Sequence, residues 1–352
     1  MGKWLDPLFE STQPSAVSPV DDASYDDSDC EHFVYTSVPT QVLYFLMFPV
    51  ALLLNGVAAW VSLHLKSTST FVVYLKNLVA ADLIMTLIIP IKGASDLPGA
   101  SQQLYRLSCR YFSVIFYSTL YTCISLLGII SVDRFFKIMM PRSKLCQNLT
   151  LSKLISGSVW VMQFGGTALP NIILTNKSGE NMTEIDSCMK LKGPAGLQFH
   201  EKAIIFVNVL FWFVSVVIVV CYIGIANKVI QSFRNSGSNN NQGKQKIKLR
   251  VFLVVIVFFV AFGPYHIIRI PYTFQQVNSS SYADCSYVIS KFVKDLSLWL
   301  ATTNICMDPL LYVFLCREFK EKLTSMMENI SMSFKAALAD KADCTVPQCR
   351  FQ

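Results

Sequence analysis

In a chain of 352 residues, 53% are hydrophobic and only 15% charged, a balance that excludes an ordinary soluble domain and an unfolded acidic or basic polymer. The formal net charge of +7 does not point to nucleic acid, because the basic residues are shared among short segments between apolar runs.

The chain opens on an acidic segment, residues 1–40, in which Asp6, Glu10, Asp21, Asp22, Asp26, Asp27, Asp29 and Glu31 face a single early Lys3. Trp4 to Tyr25 lacks the apolar core of a cleavable signal peptide, so the first apolar run is expected to direct insertion. Seven such runs follow: Val42 to Ser62, Phe71 to Ile91, Phe112 to Val132, Leu154 to Leu174, Ala203 to Ile225, Val251 to Ile268 and Phe292 to Phe314. A helix of about 20 mostly apolar residues crosses a bilayer core of about 30 Å, so each run suffices alone. The sequence therefore predicts an all-α membrane protein. A seven-helix bundle spans 41–315, and a short amphipathic helix and tail occupy 316–352. The SGSNNNQG stretch from Ser236 and the tail beyond Met332 are expected to be poorly ordered.

Charge orients the bundle. Lys66 and Lys76 follow run one; Arg134, Lys137, Arg142, Lys144 and Lys153 follow run three; Lys228, Arg234 and Lys244 to Arg250 follow run five. All three segments fall on one side, which the positive-inside rule makes cytoplasmic, with the acidic N-terminus outside. Arg317, Lys320 and Lys322 are then inside.

The eleven cysteines sort by side. Outside lie Cys30, Cys109, Cys188 and Cys285, which allow two disulfides in three connectivities. Cys109 tops run three and Cys188 sits midway along the long loop after run four. On position these two are paired, and Cys30 with Cys285 would tie the N-terminus to the last outer loop. Cys316, Cys344 and Cys349 are cytoplasmic, as palmitoylation sites or free thiols. The sequons at Asn176, Asn181 and Asn278 fall outside and are usable for glycosylation.

Four polar residues interrupt the apolar runs: Asn55, Asp82, Asn304 and Asp308. Buried acids are costly in lipid and turn inward toward partners or a cation, so Asp82, Asn304 and Asp308 are candidates for a sodium or water pocket. Pro90, Pro170, Pro264 and Pro309 interrupt helical ladders and allow hinging.

The outer helix ends are rich in cations. Lys92 ends run two, Arg106 and Arg110 flank Cys109, Lys190 and Lys192 follow Cys188, Arg269 ends run six and Lys294 begins run seven. An anion is the natural guest, with a planar guanidinium fork and mobile ammonium charges for phosphate oxygens. His200 and His266 add hydrogen-bonding capacity, and Tyr117 with Tyr121, one helical turn apart, offers an aromatic face to a base. The plainer readings are bundle packing for the two tyrosines, a satisfied loop histidine for His200, and solvated charge for Arg110, Lys190 and Lys291. The histidines His32, His64, His200 and His266 lie at different sides and depths with no HExxH or GxSxG, which argues against an enzyme. No internal repeat supports a transporter.

Six motifs in order carry a family resemblance: Leu54-Asn55-Gly56, Leu78 to Asp82, Asp133-Arg134-Phe135, Trp160 with Pro170, Phe262-Gly263-Pro264-Tyr265, and Asp308-Pro309-Leu310-Leu311-Tyr312. Together they resemble a rhodopsin-like, class A G-protein-coupled receptor over about residues 40–325. Phe135, Phe262, Asp308 and Cys123 depart from the commoner residues of that family; Cys123 stands where a hydroxyl helps hold sodium. His266 to Thr273, Lys294 to Ser297, Leu169 to Asn176 and Tyr74 to Asn77 are similar to the purinergic branch that senses ADP and UDP-sugars.

The residues and the resemblance together give a candidate ligand site at Arg269, Lys294, Tyr117, Lys192, His266, Tyr121, His200, Asn171 and Lys92. The resemblance implies a cytoplasmic switch through Asp133, Arg134, Tyr222, Phe262, Pro264, Asp308, Pro309 and Tyr312. It also implies an N-terminal to third-outer-loop disulfide and coupling to an inhibitory heterotrimeric G protein, with no cofactor. Orphan and lysophospholipid receptors share parts of the signature and form the second ligand class.

Overall fold

The computed structural model describes residues 37–66, 69–143, 147–176, 187–235, 241–278 and 285–343. Helix α1 spans Ser37–His64, α2 Thr70–Ser95 and α3 Gln102–Met139, the last with one π-helical turn at Ser108–Phe112. Helix α4 starts as Leu149–Trp160, continues through a π-helical stretch Val161–Ala168 and ends as Leu169–Leu174. Helix α5 spans Pro194–Asn235 and α6 Asn241–Asn278. Helix α7 runs Cys285–Thr302 and resumes at Asn304–Leu315. Helix α8, Arg317–Asp343, leaves the line of α7 at 94°. Among the described residues there is no strand.

Local chemistry fixes several starts. Ser69 and Asn148 sit with extended backbone just before α2 and α4, and each side-chain oxygen accepts a backbone N–H of the first turn, from Val72 at 3.4 Å and Leu151 at 3.1 Å. Helices α1, α2, α3, α5 and α6 are apolar over membrane-spanning lengths without interruption. Leu53, Leu63, Val161, Val209, Phe213, Ile267 and Phe314 point outward and exposed, as side chains against lipid do.

Hydrophobic burial does not hold helices together inside lipid, so packing and polar contacts do. Helix α1 packs on α2, α2 on α3, α3 on α5, α5 on α6, α6 on α7, and α7 returns to α1 and α2. Asn55 Nδ2 donates to the Ile305 carbonyl at 2.9 Å, joining α1 to α7. The Tyr312 hydroxyl donates to Asp82 Oδ2 at 2.6 Å, joining α7 to α2, and Cys123 Sγ reaches Asp82 Oδ1 at 3.4 Å from α3. Trp160 Nε1 donates to Asn77 at 3.0 Å, holding α4 on α2.

The structure corrects several boundaries. Helix α1 begins at Ser37, five residues before the apolar run. Helix α6 begins at Asn241, inside the polar stretch expected to be a loop, because backbone ladders extend past the apolar segment. The helix after the bundle is not short: α8 has 27 residues and continues past Met332. Its inner side, with Phe319 and Met326 buried, is amphipathic enough to sustain it. Pro49 and Pro271 are also accommodated within helices.

Candidate functional site

At the end where α2 finishes and α7 begins, the bundle holds a cavity of about 430 Å³. A disulfide between Cys109 and Cys188, with Cα atoms 5.3 Å apart, ties the segment before α5 to the start of α3. Both cysteines line the cavity, as do Met189 and Lys192 just beyond the bridge. Gly196 lets α5 begin against the end of α4, because a Cβ there would lie 2.8 Å from the Leu174 carbonyl oxygen.

Of the cations expected from the sequence, Lys92, Lys192, Arg269 and Lys294 line this cavity, in three different states, while Arg106, Arg110 and Lys190 are not part of its wall. Arg269 is buried, with its guanidinium 5.4 Å from the Tyr117 ring centroid and 5.9 Å from that of Tyr272. Its Nε has no hydrogen-bond partner. Lys294 is paired with the adjacent Asp295 and sits 5.0 Å from the Tyr272 ring, while Lys92 is paired with Asp96 at 2.9 Å. Lys192 has neutral partners: its Nζ donates to Thr175 Oγ1 at 2.8 Å and Asn171 Oδ1 at 3.1 Å. Burial without a carboxylate pushes its ammonium down to about 8.

Tyr117, Tyr121, His200 and Asn171 also line the cavity. Asn171 acts as a holder of Lys192, and His200 Nε2 is buried with no hydrogen-bond partner.

His266 is the one expected contact that the structure does not bring to the cavity wall. Its ring stacks on Phe211 with centroids 3.7 Å apart, and Nδ1 meets the Phe262 carbonyl at 2.7 Å. It sits one turn below Arg269 and on the α5 side, where it supports Tyr121 edge-on at 5.6 Å.

Sequence reasoning missed much of the aromatic and amide wall: Tyr105, Tyr265, Tyr272, Tyr287 and Gln276 all line the cavity. Tyr272 lies three residues after Arg269, a spacing that shares a helix face, and that signal was available. Tyr287 was not accessible this way; its hydroxyl meets that of Tyr272 at 3.1 Å, a contact across two helices. Lys291, read as solvated, is exposed at the cavity rim.

At the opposite end Asp133 does not stand with Arg134 alone. It accepts from Thr70 Oγ1 at 2.6 Å and pairs with Lys137 at 2.8 Å, while the Arg134 guanidinium lies 4.5 Å from the Phe71 ring. Tyr222, Phe262 and Tyr312 are buried, and Phe262 packs on Phe258 at 5.1 Å. Deeper in the bundle Asn304 Nδ2 donates to Asp308 Oδ2 at 2.7 Å, while Asp308 Oδ1 and Asn55 Oδ1 are buried without partners. Among the described residues no cluster of three His, Cys, Asp or Glu side chains forms a metal centre. Cys30, Asn181, Cys344 and Cys349 lie outside the described residues, so the Cys30–Cys285 pairing does too. Asn176 is exposed just after α4, and Asn278 ends α6.

A seven-helix bundle with a polar, disulfide-capped cavity at one end and an Asp-Arg pair at the other is the architecture of a membrane receptor. Residues 54–312 match the family described as 7 transmembrane receptor (rhodopsin family), and the chain belongs to it. It is similar to purinoceptor 13 of Homo sapiens, 44% identical over 286 residues, covering 81% of this chain and 80% of the relative. Purinoceptor 14 of Bos taurus is 39% identical over 284 residues, covering 80% and 83%. G-protein coupled receptor 87 of Mus musculus is 38% identical over 294 residues, covering 83% and 81%. The protein is thus a multi-pass plasma-membrane receptor of the purinergic branch, and its family is one of receptors and not of enzymes.

Proposed function

We propose that the receptor recognises an extracellular nucleotide or nucleotide-sugar and signals through an inhibitory G protein to lower cyclic AMP. The observation that carries this reading is the convergence of Arg269, Lys192, Lys92 and Lys294 around Tyr117 in one cavity. Phosphate oxygens suit the Arg269 fork, and the tyrosine faces suit a base. Relatives named purinoceptors support the ligand class. The acidic N-terminus and the cavity face outward in this reading, and the Arg134 end faces the cytoplasm, in keeping with the basic connecting segments.

The mechanism is a two-state bundle. An anion held between Arg269 on α6 and Lys294 on α7 binds the contracted form more tightly and raises its population. Helix α6 then pivots near Phe262 and Pro264, and its inner half swings outward. Arg134 leaves its place over Phe71, and a cleft opens beside Tyr222 and Tyr312 for a helix of the G protein. Asp308 and Pro309 lie on the path from cavity to cleft. A sodium ion at Asp82, Asn304 and Asp308 belongs to the same proposal; the partnerless Asp308 Oδ1 supports it, and Cys123 in place of a hydroxyl weakens it. Asn176, Asn181 and Asn278 carry the glycans.

The test is a panel of ADP, UDP, UDP-sugars and lysophosphatidylserine on receptor-expressing cells, read as cyclic AMP with and without pertussis toxin. A toxin-sensitive fall with a nucleotide ligand is expected. A response to the lysophospholipid alone overturns the ligand class, and a toxin-resistant calcium signal without cyclic AMP change overturns the coupling.

A further inference from the structure

Four lysines line the cavity, and their surroundings differ in a way that bears on reactivity. Lys92 and Lys294 each have a carboxylate partner, Asp96 and Asp295. Lys291 is exposed at the rim. Lys192 is buried and donates to two neutral oxygens, those of Asn171 and Thr175. His200 lines the same cavity, with a buried Nε2 that has no hydrogen-bond partner. An amine with no carboxylate partner and a guanidinium suited to phosphate thus share one pocket.

We propose that Lys192 is a covalent modification site, an amine that condenses with phosphate-bearing aldehydes while Arg269 holds their phosphate. The inference rests on the cavity being an anion site, as proposed above. The ammonium first gives a proton to water. The amine lone pair then adds to the aldehyde carbon and forms a C–N bond. As the C=O π bond opens, one N–H proton moves to the oxygen to give a carbinolamine, and the remaining N–H proton then leaves with that hydroxyl as water, forming a C=N bond. No redox change occurs until an external hydride reduces that imine to a secondary amine. The reaction is selective because Lys92 and Lys294 are each held by a carboxylate whereas Lys192 is not, and the phosphate anchor raises the aldehyde concentration within the cavity.

The experiment treats intact receptor in detergent with pyridoxal 5′-phosphate or with pyridoxal, reduces with borohydride, and maps adducts by peptide mass spectrometry. The expected result is Lys192 as the first site labelled, with the phosphate form at least about tenfold more effective than pyridoxal, reflecting the guanidinium anchor. Lys192→Arg abolishes that adduct; because wild-type mapping already identifies the site, misfolding of the variant does not obscure the answer. Labelling first at Lys92, Lys294 or Lys291, or none at Lys192, overturns the inference while leaving the anion cavity standing. Equal labelling of Lys192 by both aldehydes overturns it as well, and that outcome strikes the anion cavity itself.

Discussion

The Arg269 guanidinium lies 5.4 Å from the centre of the Tyr117 ring, so that α6 and α3 meet across the ligand cavity through a cation over an aromatic face. The contact holds the guanidinium without neutralising it, and its charge stays available to an anion. Arg269→Ala should therefore weaken a phosphate-bearing agonist by about 1.5–3 kcal/mol, roughly ten- to hundredfold in potency, at unchanged surface expression. Arg269→Lys should restore only part of this, because a point charge does not match the fork. Equal potency across all three forms shows that the phosphate lies elsewhere.

The Cys109–Cys188 bridge holds the segment that carries Lys192. Cys109→Ala or Cys188→Ala should each reduce folded surface receptor sharply, since losing a native disulfide costs about 2–5 kcal/mol. Surface antibody staining at wild-type levels for both variants contradicts this.

Lys192 gives the site a pH dependence of known sign. Its folded value of about 8 lies below the ordinary 10.5, so the unfolded chain binds more protons between those values. The residue lowers stability at neutral pH, and that cost fades as pH rises through the window. Anion binding runs the other way, because the charged ammonium attracts phosphate: affinity should fall as pH passes about 8. In Lys192→Arg this decline should vanish. Titration of radioligand affinity across the range from neutral to mildly alkaline pH decides the point.

Gly196→Ala places a methyl group 2.8 Å from the Leu174 backbone oxygen and 3.2 Å from Lys192 Cβ. Backbone cannot give way as a side chain can, so a loss of about 1–3 kcal/mol is expected, read as a lower melting temperature of purified receptor. An unchanged melting temperature means that α5 does not start so close to α4.

The bundle was legible because the lipid imposes one rule on every crossing, and Lys92, Lys192, Arg269 and Lys294 could be grouped because each stood at an outer helix end. What escaped was set by contacts distant in sequence. His266 is drawn from the cavity by Phe211 on α5, and Asp133 is held by Thr70 from α2, 63 residues away. The length of α8 was hidden by polar residues that favour neither order nor disorder on their own.

The π-helical stretch Val161–Ala168 bears on how α4 meets the cavity. Its hydrogen bonds close one residue later than those of an α-helix, so the chain beyond Ala168 enters with an angular offset, about 100° for each residue accommodated. Asn171 reaches Lys192 from that offset position. Deleting Gly165 or Gly166 would let the stretch rewind as an α-helix and turn Asn171 toward lipid, stranding the amine it holds. The angular phase of α4 therefore acts as a setting for the charge of the cavity, adjustable by the removal of a single residue that touches no ligand.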